Sequence, residues 1–293
     1  VSYRFAKTGI IFSLFLAFVF NFAFAVEAKA QTIQTGPQPQ DKKPEEKQKQ
    51  DPKNPTFTAE QIAEGVLIAT VGFGGRETLK QIRGKGIERG KYRRAGANGQ
   101  TEEYTYERRF IRGDDMNKDK VRIDQKSPTL EYALVFSHGN VWGVMNNTIF
   151  TPREEIARMF NNHLWYSLES LLRYKENGST LNLIGKEKQG GVEVYVLEVT
   201  DKDKRKIKFY ISTRLLRVLW LEYEESPTEG GTPVKYMKRF YDYRVAQGTL
   251  LPYKTVFFEN GQQIEESNIS TITFGLKIDD LVFDNPSLPK NNP

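Results

Sequence analysis

The sequence has 293 residues, 43 Lys+Arg against 37 Asp+Glu, two His and no Cys. No Cys means no disulfide framework, no thiolate metal site, no cysteine nucleophile and no lipid-modified Cys. His138 and His163 alone cannot build a His-rich metal site, and the length fits one or two domains.

Part of the net charge of +6 belongs to the N-terminal region. Arg4, Lys7 and Lys29 against Glu27 give residues 1–30 a net +2, and five Lys against four acids give residues 31–56 a net +1. The remaining +3 over residues 57–293 gives no reason to expect a nucleic-acid partner.

Residues 10–26 are almost wholly apolar, follow Arg4 and Lys7, and precede Ala28-Lys29-Ala30. A positive n-region, an apolar h-region and an A-x-A site predict a secretory signal peptide over 1–30, cleaved near Ala30, and a periplasmic protein. The alternative is an uncleaved N-terminal anchor, for which 17 residues is at the short limit. Residues 31–56 are rich in Pro, Gln and Lys with one aliphatic residue, Ile33. They are expected to be a disordered linker, because they cannot bury enough apolar area to offset chain entropy.

Thr58 with Gln61 predicts a capping box, Phe57 with Ile62 a hydrophobic staple, and Ile62, Val66, Ala69 and Phe73 a helical stripe. Gly72, Gly74 and Gly75 interrupt it before a short second helix over 76–82. The glycines lack phosphate-loop spacing and lie between helices, so they read as a helix break.

A hairpin follows, 83–95 and 101–113 about a turn at 96–100, with Tyr104, Tyr106 and Phe110 on one face. Strands are expected at 120–126, 130–139 and 140–147; Leu130, Tyr132, Leu134 and Phe136 share a face. One helix over 152–174 then interrupts the sheet. Thr151 and Glu154 form its capping box, Pro152 takes the first helical position, and Asn177-Gly178 ends it. Ile156, Met159, Phe160, Leu164, Leu168, Leu171 and Leu172 line one side. Seven strands close the chain at 180–188, 191–200, 206–212, 215–225, 234–245, 250–260 and 263–275. Consecutive antiparallel strands in this number must curl into a barrel or fold into a sandwich.

No catalytic constellation emerges. His138 and His163 lack patterned partners, and Asp114-Asp115 and Asp279-Asp280 read as turn acids. The basic run 202–208 reads as a hairpin tip, and the aromatic-basic strand 236–244 as part of the sheet. Several strands, such as 191–200 and 215–225, are apolar on both faces. One face must meet a core, and the other needs a cover such as the helix at 152–174. Either helix and sheet pack solidly, or they enclose a hydrophobic cavity.

This order resembles the LolA/LolB-type lipoprotein carriers and the wider group of outer membrane lipoprotein-sorting proteins. Residues 63–90 resemble that group's opening helix, Gly-Gly break and first strand. Residues 209–225 resemble its strand pair with a Thr-x-Leu turn, and 248–286 its closing meander and terminal Phe283-x-x-Pro286. Ser212 departs from the pattern, standing where many relatives carry Asp.

The resemblance implies a mainly β fold with helices (α+β). It would be a curved, incompletely closed antiparallel β-barrel of about eleven or twelve strands with a helical lid, spanning 57–293. It implies binding without catalysis or cofactor: a monomeric carrier of lipid or lipoprotein acyl chains, between an inner-membrane donor and an outer-membrane acceptor. The alternative is an envelope sensor or protein-interaction module on the same half-barrel; the chain runs only a few residues past Pro286, which favours the carrier. The expected lipid-binding residues are Tyr104, Tyr106, Phe110, Leu134, Phe136, Trp142, Ile156, Met159, Phe160, Leu164, Leu168 and Trp220.

Overall fold

The computed structural model describes residues 57–95, 100–226 and 231–285. The leader, the linker, turn residues 96–99 and Pro286 lie outside the described residues.

Two helices open the domain, α1 (Ala59–Val71) and α2 (Gly75–Arg83). The capping box forms: Thr58 Oγ1 accepts from the Gln61 N–H, and Gln61 Oε1 accepts from the Thr58 N–H at 2.8 Å. Phe57 does not complete a buried staple; it stays half exposed and meets Tyr195 edge to face at 6.3 Å. α1 also stops before Phe73. Gly72 adopts φ 78° and turns the chain, which leaves Phe73 99% exposed and off the helical stripe.

Six strands follow: β1 (Lys85–Ala95), β2 (Thr101–Ile111), β3 (Lys120–Lys126), β4 (Glu131–Ser137), β5 (Asn140–Met145) and β6 (Thr148–Phe150). Helices α3 (Glu154–Trp165) and α4 (Leu168–Leu172) come next. The meander is β7 (Thr180–Gln189), β8 (Val192–Thr200), β9 (Lys206–Ser212), β10 (Val218–Glu225), β11 (Val234–Ala246), β12 (Thr249–Glu259) and β13 (Gln262–Phe274). All form one antiparallel sheet in the order β6-β5-β4-β3-β2-β1-β13-β12-β11-β10-β9-β8-β7. The first strand pairs with the last, and β6 and β7 remain as edges, so the barrel is incomplete. The thirteenth strand is β6: Asn146 and Asn147, with φ 51° and 59°, make the tight turn that folds it back on β5.

The single helix expected over 152–174 is two. In a continuous helix the carbonyls of Trp165 and Tyr166 would accept from the N–H groups four residues on. Here the Ser170 hydroxyl donates to the Trp165 carbonyl, and Lys238 Nζ donates to the Tyr166 carbonyl at 2.6 Å. Ser167 is extended, and α4 starts afresh. The expected capping box is absent as well. Arg153 occupies the N-cap without a side-chain bond, and Pro152 precedes the helix, buried.

The core lies on both faces of the sheet. On the concave face, Ile62, Val66 and Leu67 of α1 and Leu171 and Leu172 of α4 pack on Leu197, Phe209, Ile211 and Leu221. On the convex face, the C-terminal segment folds back, and Phe283 is wholly buried against Val135 and Trp142. The acids once read as turn residues set up these returns: Asp279 caps the short helical turn Asp280–Phe283, and Asp115 caps the turn Met116–Lys118. Phe283→Ala removes a fully buried ring and should destabilise the domain by about 3–5 kcal/mol, read as a lower urea midpoint at unchanged slope.

Candidate functional site

The concave face has two characters. Beneath β8–β10 it is filled by α1 and α4. Beneath β1–β5 its main cover is α3, with Ile82 of α2 packed on the same cluster. There Phe110, Val121, Leu134, Phe136 and Phe274 form an apolar floor, on which Phe160, Ile156 and Leu164 of α3 rest. Cross-strand pairing aligns this floor: Gly86 with Phe110 and Phe274, Phe110 with Val121, and Val121 with Phe136.

Farther along the same strands the face turns polar. Tyr92 stacks on Tyr104 at 4.8 Å, and Arg94 lies over both rings. Tyr92 donates to Gln125, Tyr132 shares that acceptor, and Tyr106 donates to Glu88 at 2.8 Å. The Tyr106 ring fits because position 90 is Gly at the β1 bulge. A Cβ there would lie 2.7 Å from Tyr106 Cε1 and 2.4 Å from the Asn268 carbonyl oxygen. Burial, followed by the Glu88 carboxylate, pushes the Tyr106 phenol up. A second aromatic run crosses from α3 to the sheet: Tyr166 stacks on Tyr223 at 3.6 Å, Tyr223 on Tyr236 at 5.1 Å, and Tyr236 on Phe257 at 5.6 Å.

Lys238 joins lid to floor. It is 5% exposed on β11, and burial lowers its ammonium to about 8, against a smaller opposing pull from Glu265. His163 of α3 keeps solvent access. The charge of Lys238, with Arg108 adding to it, lowers its imidazole below the usual range. Neither it nor His138, which sits exposed in the β4–β5 turn with φ 52°, pairs with a carboxylate. Among the described residues no group of three His, Cys, Asp or Glu could hold a metal.

The two helices are fastened differently. Glu169 of α4 sits between Arg112 of the loop after β2 and Arg83 of α2. Burial raises the Glu169 carboxyl, but Arg112, Arg83 and Arg173 together hold it below the usual carboxylate range. Arg173, next to α4, grips Asp119 at 2.8 Å and the Gly113 carbonyl at 2.9 Å. α3 has lighter ties: Asn162 to Glu225, and Arg158 to the Ser226 carbonyl at 3.1 Å. Where α3 meets α4, a cavity of about 230 Å³ opens, with Arg108, Val121, Phe136, Asn161, Leu164 and Glu169 among its walls.

The expected site residues fall into five places. Phe110, Leu134, Phe136, Ile156, Phe160 and Leu164 meet in the floor and lid, while Tyr104 and Tyr106 line the polar zone of the same face. Leu168 packs instead on the filled core of α1 and α4. Met159 is 62% exposed, because α3 rests on the floor through the stripe beside it. Both tryptophans belong to the convex face. Trp142 pairs with Val135, opposite in parity to Leu134 and Phe136. Trp220 pairs with Tyr210 and stacks on it at 4.5 Å, and a register shift between Val218 and Trp220 separates their faces. Residues not foreseen include Phe274, Tyr92, Arg94, Arg108, His163 and Lys238; pairing β1 with β13 brings most of them together.

No family model and no curated protein matches the chain. Solved structures do. An outer membrane lipoprotein-sorting protein domain from Vibrio parahaemolyticus is 15% identical, with a TM-score of 0.54 over 78% of this chain and 96% of that one. A LolA superfamily protein from Nitrosomonas europaea is 13% identical, with a TM-score of 0.54 over 80% of this chain and 100% of that one. A DUF1329 family protein from Desulfovibrio piger is 12% identical, with a TM-score of 0.56 over the same shares. At these identities the likeness is one of fold: the incomplete, curved barrel of the LolA type.

The buried Lys238 gives a pH signature. From pH 8 to about 9.5 the unfolded chain keeps a proton on Lys238 that the folded chain sheds, so the contribution of Lys238 to stability should rise by about 1.5 kcal/mol. The buried tyrosines, whose folded values are raised, oppose it increasingly from about pH 9. The stability difference between the wild type and Lys238→Met, read from urea unfolding at each pH, isolates the lysine and should shift by that amount in favour of the wild type.

Proposed function

We propose that the chain is a non-catalytic periplasmic carrier or binding protein that holds acyl chains of lipoproteins or other lipids. In this reading a leader over 1–30 is removed near Ala30, residues 31–56 tether, and 57–293 form the lipid-binding half-barrel. The donor would be an inner-membrane component and the acceptor an outer-membrane one. The observation that carries the reading is the apolar floor of β1–β5 and β13, covered mainly by one hinged amphipathic helix and not by another sheet.

The energetics favour exchange. The cavity of about 230 Å³ is below the roughly 300–1,000 Å³ of common ligand pockets, so an acyl chain enters only if α3 lifts. Re-exposing Ile156, Phe160 and Leu164 costs roughly 5–9 kcal/mol in lost burial. About twelve buried methylenes return roughly 10 kcal/mol. Cargo and lid therefore compete for one surface at nearly equal strength. Binding is favourable, and release needs only a partner or membrane offering similar burial. α4, held by Glu169 and Arg173, stays with the sheet, and α3 turns at Tyr166-Ser167.

The protein purified from cells that export it should yield acyl lipid on solvent extraction and mass spectrometry, and after delipidation should take up a fluorescent fatty acid. Protein that carries no lipid and takes up none overturns the reading.

A further inference from the structure

The cavity at the α3–α4 corner differs from the acyl floor beside it. Leu164 and Phe136 belong to both, so it opens directly off the lid–floor contact. Most of its other walls are polar, and two of them hold buried oxygens without a hydrogen-bond donor: Asn161 Oδ1 and Glu169 Oε2. Beside Glu169, Nη1 of Arg112 is a buried donor without an acceptor. Leaving such atoms unpaired costs roughly 1–3 kcal/mol each, so the cavity is built for a group that supplies hydrogen-bond donors to its two oxygens.

We infer that this cavity takes the neutral, hydroxyl-bearing head of a single amphiphilic cargo, a glycerol-like polyol, while its acyl chain lies on the adjoining floor. The inference rests on the carrier reading and narrows the cargo class. Charge selects the head. The charged walls are already paired: Asp119 with Arg173, Glu169 with Arg112 and Arg83, Arg205 with Asp201 and Asp203, and Arg108 with Glu88. A phosphate or carboxylate head would therefore find no free cation and would be desolvated without compensation. A cationic head would satisfy the two oxygens but lie against Arg108, and it would find no acid that is not already neutralised. Each hydroxyl donates one hydrogen bond, so a head with two hydroxyls can satisfy both Asn161 Oδ1 and Glu169 Oε2 without adding charge. The size agrees: about 230 Å³ holds a small polar head and not a chain.

The test uses the delipidated full chain with 1-monomyristoylglycerol and methyl myristate, two esters with the same acyl chain of which only the first carries hydroxyl groups, and with myristoylcholine as the cationic counterpart. Titration calorimetry should give monomyristoylglycerol at least a tenfold tighter affinity than methyl myristate. Asn161→Leu should abolish that preference, with methyl myristate affinity and melting temperature unchanged; Asn161→Ser, which keeps a side-chain oxygen acceptor, should retain part of it. Equal affinity for the two esters, a preference that survives Asn161→Leu, or tighter binding of myristoylcholine would overturn the polyol head and leave the carrier reading standing. Failure of every ester to bind would overturn both.

Discussion

A sheet that curls without closing leaves an apolar concave face that no strand can cover, and everything else in this domain follows from how helices divide that face. α1 and α4 fill the half under β8–β10, where Leu67 and Leu171 meet Phe209 of β9, all almost wholly inaccessible. The half under β1–β5 is left mainly to α3, through Phe160, Ile156 and Leu164, with Ile82 of α2 beside them. Burial of the first kind is permanent core. In the proposed carrier reading, burial of the second kind is exchangeable, because a bound chain can replace a helix stripe of equal area at little net cost.

The hinge between them is held by polar groups. Lys238 and Ser170 take the two carbonyls that would have carried α3 into α4, so the break is fixed by hydrogen bonds and not by a flexible sequence. The arginines around Glu169 and Asp119 then fasten α4 to the sheet from several elements. Buried ion pairs of this kind cost much to desolvate and contribute uncertain net stability. Their evident effect here is positional: they tie α4 to the sheet through more ion pairs than hold α3.

Much of this was legible in the sequence. The strands at 120–126 and 206–212 coincide with β3 and β9, and the capping box at Thr58 and Gln61 marks α1 correctly. Turn geometry held more than was read from it. The two-residue turn His138-Gly139 pairs Phe136 with Val141, which by parity alone puts Trp142 on the convex face. The Asn146-Asn147 dipeptide is likewise a signal for a tight hairpin and hence for β6. Other features leave no local trace. The register shift that separates Val218 from Trp220 and the reach of Lys238 to the Tyr166 carbonyl, 72 positions away, depend on tertiary context. The polar half of the concave face was also hidden, because Arg94 and Glu265 become neighbours only when the first strand pairs with the last.

The central claim is that α3 alone lifts to admit an acyl chain. The absence of cysteine in the sequence makes paired labelling simple. Met159→Cys on α3 and Leu215→Cys at the β9–β10 turn, both exposed positions, can carry spin labels for pulsed electron–electron distance measurement. Adding myristic acid should shift the distance distribution, while a control pair at Lys175 and Leu215, beside the fastened α4, stays fixed. An unchanged Met159–Leu215 distance in protein shown to have bound the fatty acid would contradict the account.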